Sequence, residues 1–238
     1  MAVVTVSVTN TATYNAGANP QNFTFTVNGG DQLAVFYIVQ DSANANAITG
    51  VVWDQGGTNQ TCTLVKAQAN GTNGSVNAYA VVNPQPGTLT LQVTQQLGQG
   101  MTAECVTYLN VANTSVASAC TQAASATTTN QTITATTLTG ATGDMSVALF
   151  ANVGTWSSNT DTLIYSLAPA GKDSIANSFS FASGGTHALG ATQNAVQAAE
   201  WLTFDIVFQQ QSQTTTITNI SFPSWSRLGR RVISIGAD

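Results

Sequence analysis

Charged side chains are unusually scarce in this sequence. Lysine and arginine number 5 and aspartate and glutamate 10 among 238 residues, so charged residues make up 6% of the chain, against about 25% in an ordinary soluble protein. The net charge of -5 has the wrong sign for gripping phosphate backbones. We therefore expect no nucleic-acid partner, and a polar surface built from Thr, Asn, Gln and Ser.

Long hydrophobic segments are also lacking. The longest strongly apolar stretch, Leu33–Val39, is far shorter than the roughly 20 residues that cross a bilayer. The N-terminus, MAVVTVSVTN, has no basic region and no long apolar core, so the sequence predicts neither a secretory signal nor a membrane partner. The hydrophobic content of 43% nevertheless predicts a folded, globular protein.

Residues that carry metal, redox or nucleophilic chemistry are few. Cys62, Cys105 and Cys120 are widely spaced and form no C-x-x-C clip, so we expect buried free thiols, no metal and no cofactor. The only histidine is His187, and there is no Gly-x-Ser-x-Gly elbow to accompany it. The sequence therefore predicts a protein that is not an enzyme.

An enzyme acting on polysaccharide is the alternative that acidic residues leave open, because a pair of carboxylates can hydrolyse a glycosidic bond. Asp205 alternates with apolar residues of its segment, and we expect it to face solvent on a strand. The spacing of the acidic residues does not favour any pair among the candidates, which are Asp54, Asp144, Asp161, Asp173, Glu200 and Asp205.

Apolar residues alternate with polar ones along most of the chain, as in Phe23, Phe25 and Val27, which is typical of strands. Continuous apolar runs at Leu33–Val39 and Ser146–Val153 predict strands covered on both faces. Gly, Asn, Asp and Pro interrupt these segments at short intervals. The sequence predicts an all-β protein, an antiparallel, jelly-roll-like β-sandwich in a single domain over residues 1–238.

Three segments qualify this prediction. Residues 117–137 are rich in Ala, Ser and Thr, and predict either a subdomain break or an exposed edge strand. Residues 191–201 have the composition of a short helix but could equally form a loop. Gly-Asp precedes an apolar run at both Asp31 and Asp144, an internal similarity too short to establish a duplication.

The segment VVWDQGG ends an apolar run at Trp53, and we interpret it as the corner of a sheet. Further on, the turn NPQPG (residues 83–87) is expected to fold Tyr79–Val82 back on Leu89–Val93 as a hairpin. Together with TGDMSVALF, these segments resemble a recurrent β-sandwich module of bacteriophage virion proteins. The matching positions are Val52, Trp53, Asp54, Gly56, Tyr79, Val82, Asn83, Pro84, Gly87, Tyr108, Gly143, Asp144 and Val147.

The resemblance spans about Gln32 to Val153 and implies a structural role in a virion, as a capsid decoration or a head or tail appendage. It implies homo-oligomers, partners such as the major capsid or tail proteins, and synthesis in the host cytoplasm. A carbohydrate-binding adhesin is the alternative function, since lectin-like sandwiches stack an exposed tryptophan on a sugar. Trp156 and Trp225 are then the candidates for contact with a host surface glycan.

Three of the five basic residues, Arg227, Arg230 and Arg231, lie close together near the C-terminus. Arginine pairs well with carboxylates at interfaces, so residues 226–238 are a candidate docking tail for an acidic partner. A final strand with solvated arginines is the alternative for this segment.

Overall fold

The structure is a computed structural model that describes residues 2–15, 18–41, 48–71, 74–112, 114–168 and 172–209. It confirms the predicted all-β, antiparallel sandwich. The strands of the first half are β1 (Val4–Asn15), β2 (Gln21–Val27), β3 (Leu33–Gln40), β4 (Ile48–Trp53), β5 (Gln60–Thr61), β6 (Thr63–Ala69), β7 (Ser75–Val82), β8 (Gly87–Gln95) and β9 (Met101–Leu109).

One helical turn, α1 (Val116–Ala119), connects the first half to the second. Ser115 caps it, accepting a hydrogen bond from the backbone N–H of Ser118. The strands of the second half are β10 (Cys120–Thr128), β11 (Thr132–Thr134), β12 (Leu138–Gly140), β13 (Met145–Asn152), β14 (Trp156–Asn159), β15 (Thr162–Leu167), β16 (Asp173–Ser180), β17 (Gly185–His187), β18 (Gly190–Gln193) and β19 (Ala199–Ile206).

The two halves repeat one strand order. The first half has a five-stranded sheet in the order β1-β9-β3-β7-β6, and the second has β10-β19-β13-β16-β15. We call these the inner sheets. Each is covered by an outer layer, which is β2-β8-β4-β5 in the first half and β11-β18-β14 with β12-β17 in the second. Chain order and pairing thus match strand for strand across the inner sheets.

The inner sheets pack against each other face to face. Leu33, Val35 and Tyr37 of β3 join Val147 and Leu149 of β13 in one buried cluster, while the alternate residues of each strand face the outer layers. Both faces of an inner sheet are therefore buried. This explains why β3 and β13 are continuous apolar runs and confirms that prediction.

The edges show how the halves are related. Edge strand β6 lies against β10, and edge strand β1 lies against β15. Since β10 corresponds to β1 and β15 to β6, an approximate two-fold axis parallel to the strands relates the inner sheets. Equivalent loops consequently lie at the same end of the molecule, as the hydrogen bond from Asn70 at the end of β6 to Glu200 at the start of β19 requires.

The Gly-Asp similarity marks a repeated turn. In the first half the Asp31 carboxylate accepts the backbone N–H of Asn28 at 3.0 Å, and in the second the Asp144 carboxylate accepts that of Ala141 at 2.8 Å. Gly30 and Gly143 precede the aspartates with φ of 103° and 98°, a region open to glycine. The turn leads into β3 in one half and β13 in the other.

A second repeated feature is a pair of buried amides at the opposite end. Gln40 donates to the side-chain oxygen of Gln95 at 3.1 Å, and Asn152 donates to that of Gln193 at 2.7 Å. Gln95 and Gln193 each donate in turn to a carbonyl four residues on, which holds the following loop. We call this end of the molecule the glutamine end, and the end with Asp31 and Asp144 the exit end.

Trp53 ends β4 at a sheet corner, as predicted. Its ring is fully buried, and its indole N–H donates to the carbonyl of Gln85 at 2.9 Å. Asp54 has a φ of 56° and its carboxylate accepts the backbone N–H of Thr58. The turn is closed by local hydrogen bonds, which is a sufficient reason for its polar residues.

The hairpin expected at residues 83–87 is wrong. Strand β7 pairs with β3 and β6 in the inner sheet, whereas β8 pairs with β2 and β4 in the outer layer. The turn therefore carries the chain from one layer to the other. Its two prolines and Gly87, with φ of 132°, suit this change of direction as well as they suit a hairpin.

The structure also describes two other segments for which the sequence left alternatives open. Residues 117–137 include β10, which is an edge strand, and β11, and here the chain passes into the second inner sheet. Residues 191–201 form no helix: they contain the end of β18, a loop and the start of β19. Cys62 and Cys105 are buried free thiols, and Cys120 is a half-buried one.

The repeated turn allows a matched test of backbone strain and packing. Gly30→Ala should cost about 1–2 kcal/mol, because only the left-handed backbone conformation is penalised. Gly143→Ala should cost more, since its Cβ would lie 2.8 Å from the Phe208 ring, whereas nothing lies within 4 Å of a Cβ at position 30. Urea unfolding of both variants measures the difference. Equal losses of stability would contradict this account of the turn.

Candidate functional site

Of the residues predicted to contact glycan or a partner, only Trp156 lies within the described residues. Trp225, Arg227, Arg230 and Arg231 lie outside them. Trp156 is half-buried on β14, its ring meets the edge of Phe150 at a centroid distance of 6.1 Å, and its N–H donates to the Asp173 carbonyl at 3.4 Å. These contacts give the ring a packing role, and glycan contact stays a prediction.

His187 forms a compact polar cluster at the end of β17. Its Nε2 lies 2.7 Å from Oδ1 of Asp161, and its ring stacks on Phe179 with centroids 3.7 Å apart. The other carboxylate oxygen of Asp161 accepts the hydroxyl of Thr160 at 2.6 Å. The hydroxyl is thus bound to the acid and not to the histidine, which differs from the order of groups in a hydrolytic triad.

Asp205 is buried, and the prediction that it faces solvent is wrong. Asp205 is 0% exposed. Its carboxylate accepts a hydrogen bond from the Ser146 hydroxyl and another, at 2.9 Å, from the side-chain amide of Gln122. Burial raises the pKa of Asp205, and the Ser146 hydrogen bond opposes that rise. The alternation of Asp205 with apolar residues suggested a solvent-facing side chain, but the outer layer and Gln122 cover that face of β19.

A buried ion pair lies between the inner sheets at the glutamine end. The Lys172 ammonium contacts the Glu200 carboxylate, and their side chains are 3% and 0% exposed. Asn70 of the first half donates to the same carboxylate at 3.4 Å. Burial raises the pKa of Glu200 to about 7, and the Lys172 charge limits the rise. Both charges belong to the second half, and the Asn70 hydrogen bond to Glu200 links the pair to the first half.

A second buried acid, Glu104, faces the other inner sheet from β9. It is 0% exposed, and neither carboxylate oxygen has a hydrogen-bond partner of good geometry among the described residues. Burial raises the pKa of Glu104 to about 8, with the Tyr165 hydroxyl opposing the rise. Nearby, the hydroxyls of Tyr37 and Tyr108 lie 3.2 Å apart. Glu104 is therefore neutral over a wide range of pH.

The glutamine end also carries an exposed apolar surface. Leu97 follows Gln95 and is 60% exposed, and Val196 follows Gln193 in the equivalent loop and is 64% exposed. Val153, directly after β13, is 47% exposed. Asp41, after β3, is exposed, and Asp173, at the start of β16, is partly exposed. This surface, which we call the end surface, combines apolar side chains with carboxylates.

Comparisons with known proteins give no identification: no family model, no curated protein and no solved structure matches the chain. Within the described residues, no group of three or more His, Cys, Asp or Glu side chains is placed to hold a metal ion. The helical part of the described chain offers no segment with the length and apolar character of a membrane span.

Sequence reasoning missed the two buried polar groups at the contact between the inner sheets, which are the Lys172–Glu200 pair and Glu104. Lys172 and Glu200 are far apart in the chain, and neither lies in a motif. The only available signal was their rarity, since Glu104 and Glu200 are the only glutamates and Lys66 and Lys172 the only lysines. In a chain so poor in charge, a glutamate within an apolar strand indicates a buried polar contact.

The buried pair predicts a marked difference between single and double variants. Lys172→Met alone should destabilise the protein by about 3 kcal/mol at pH 8.5, because Glu200 then lies buried without its counter-charge. Lys172→Met with Glu200→Met should recover most of that loss, since apolar side chains replace the pair. Urea unfolding measures both. A double variant no more stable than the single one would contradict the coupling.

Glu104 predicts a loss of stability as the pH rises. Its pKa is about 8 in the folded protein and about 4.3 when unfolded. Between these values the unfolded chain releases a proton that the folded chain keeps, so stability falls by about 1.4 kcal/mol per pH unit through this group alone. Glu104→Gln should flatten this part of the stability profile between pH 5 and 8. An unchanged slope in urea unfolding would contradict the assignment.

Proposed function

We propose that this protein is a non-enzymatic structural component of a bacteriophage particle, a capsid decoration or a head or tail appendage. It associates there with copies of itself and with other virion proteins. The observation that carries this proposal is the repeated strand pairing of the two halves, described next.

In the first half the chain pairs its strands from the ends inward: β1 with β9, β2 with β8, and β3 with β7. The second half repeats this with β10 and β19, β11 and β18, and β13 and β16. Nested antiparallel pairs of this kind, wrapped into two layers, make a jelly roll, an architecture shared by viral capsid domains and lectins. Each half is accordingly proposed to be a jelly roll.

The placement of the ionisable groups supports a structural role. Glu104 and Glu200 both face the junction of the inner sheets and are 0% exposed, and Asp205 is buried on the opposite face. A general acid or nucleophile has to reach its substrate within hydrogen-bonding distance. None of these three carboxyl groups is open to solvent, and two of them are bound to other side chains of the protein: Glu200 to Lys172 and Asn70, and Asp205 to Ser146 and Gln122.

The exterior supports assembly as well. The outward face of β2 carries Asn22, Thr24 and Thr26, all exposed and uncharged. A low density of surface charge weakens the repulsion that keeps free proteins apart in solution. Such a surface suits a protein that is held in a fixed array with its neighbours.

The test is to locate the chain in phage-producing cells. Antibodies raised against the purified full-length chain should label intact particles at regular positions in the electron microscope. The chain should also sediment with particles in a density gradient, because it is a bound component. A chain that remains entirely in the soluble fraction, beside complete particles, would contradict the proposal.

A glycan array discriminates the adhesin function. Binding of the purified chain to a defined glycan, lost in Trp156→Ala, together with absence from particles, would replace the proposal with a carbohydrate-binding role. Trp156→Phe serves as the matched control for packing, since it keeps an aromatic contact with Phe150. If Trp156→Phe folds and still binds the sugar while Trp156→Ala folds and does not, the aromatic ring is needed for binding and not only for the stability of the fold.

A further inference from the structure

We propose that residues 210–238 of one copy dock on the end surface of a second copy, so that the protein assembles head to tail. The docking specifies the self-association contained in the proposed function and rests on that part of it. The phage assignment plays no part in the argument, and the experiment below uses purified protein alone.

The receiving surface is apolar and acidic. Leu97, Val153 and Val196 are three of the six large hydrophobic side chains that are strongly exposed among the described residues. Asp41 and Asp173 add carboxylates at the same end. The Lys172 ammonium lies beneath this surface and is 3% exposed; it contacts Glu200 and also interacts electrostatically with Asp41.

These five residues lie at the glutamine end because each is next to a strand that begins or ends there. Asp41 follows Gln40, which pairs with Met101 at the start of β9, and Leu97 lies in the loop before that strand. In the second half, Asn152 pairs with both Asp173 and Ala199. Val153 and Val196 lie beside these positions. The approximate two-fold axis then places the equivalent loops side by side.

The docking segment has complementary chemistry in its sequence. It contains three of the five basic residues, Arg227, Arg230 and Arg231, whereas nine of the ten acidic residues lie outside it. Apolar residues are interleaved with the arginines: Trp225, Leu228, Val232, Ile233 and Ile235. Arginine beside apolar and aromatic residues suits a contact that buries hydrophobic surface while pairing with carboxylates.

The point where the described chain ends favours a second copy as the acceptor. The N–H of Phe208 donates to the Asp144 carboxylate at 2.8 Å, and that of Gln209 donates to the Asn110 carbonyl at 2.9 Å. The chain therefore leaves at the exit end, and β19 runs towards that end and away from the glutamine end. In a head-to-tail arrangement the exit end of one copy faces the end surface of the next.

The segment is long enough to make this contact. Residues 210–226 separate Gln209 from Arg227, and when extended they span up to about 60 Å. That length also allows the segment to fold back along its own copy, whose inner strands are about 27 Å long. The experiment has to distinguish docking in trans from docking in cis, and a pair of charge reversals does so.

Two full-length variants are needed. The tail-reversed variant carries Arg227→Glu, Arg230→Glu and Arg231→Glu, and the end-reversed variant carries Asp41→Lys and Asp173→Lys. Each variant alone brings like charges together, so its self-association should be at least about tenfold weaker than that of the unaltered chain. An equimolar mixture should associate again, since each tail then meets an end surface of opposite charge. Sedimentation velocity measures all four samples.

Two matched controls address charge and hydrophobicity. Asn22→Lys with Thr24→Lys adds lysines on the outward face of β2 and should leave association unchanged. Leu97→Ser with Val196→Ser should weaken association, whereas Leu64→Ser with Leu163→Ser should not, because those leucines are comparably exposed on the edge strands β6 and β15. Unaltered melting temperatures establish that the variants are folded.

The outcomes are decisive in both directions. Loss of association in each reversed variant and its return in the mixture support docking in trans. A monomeric unaltered chain, a mixture that stays monomeric, or association that survives both reversals overturns the proposal. Absence of the chain from phage particles, with this association intact, would refute the phage assignment and leave head-to-tail docking standing.

Discussion

The contact between the two inner sheets is the interaction on which the rest of the structure depends. Each inner sheet has an outer layer on one face, so its other face would expose a row of large apolar side chains, such as Tyr37 and Phe204, if the halves were separate. Burying that face removes most of the remaining apolar surface from water. The same contact makes both faces of β3 and β13 internal, and this sets their composition.

Because the junction is apolar, the few polar groups within it are costly unless they are paired or neutral. Lys172 and Glu200 are paired at the glutamine end, and Glu104 is kept neutral by burial. The pair lies within the second half, and Asn70 of the first half donates to its carboxylate. A shift of one inner sheet along the other would break that hydrogen bond. Apolar contacts supply the attraction between the sheets, and this hydrogen bond favours one alignment.

The sequence predicted the local features of this fold and missed those that depend on the layers. The runs at Leu33–Val39 and Ser146–Val153, and the corner at Trp53, follow from composition and turn chemistry within a few residues. Asp205 was misplaced because alternation implies a solvent-facing side only when one face of a sheet is open. The turn at residues 83–87 was misassigned for a related reason, since its backbone chemistry does not specify which sheet receives the next strand.

The candidate site was the harder part to predict. The buried pair joins residues of β19 and the segment before β16, and no local pattern encodes such a contact. The docking tail, by contrast, is predicted from its arginines alone, but its acceptor could be proposed only once the structure placed the loops of Leu97 and Val196 at one end. The repeated strand order provides two such loops per chain, whereas residues 210–238 follow only the second half. The approximate two-fold symmetry of the body is thus broken at the exit end, and a protein that docks by this tail has a polar, directional assembly and not a closed pair.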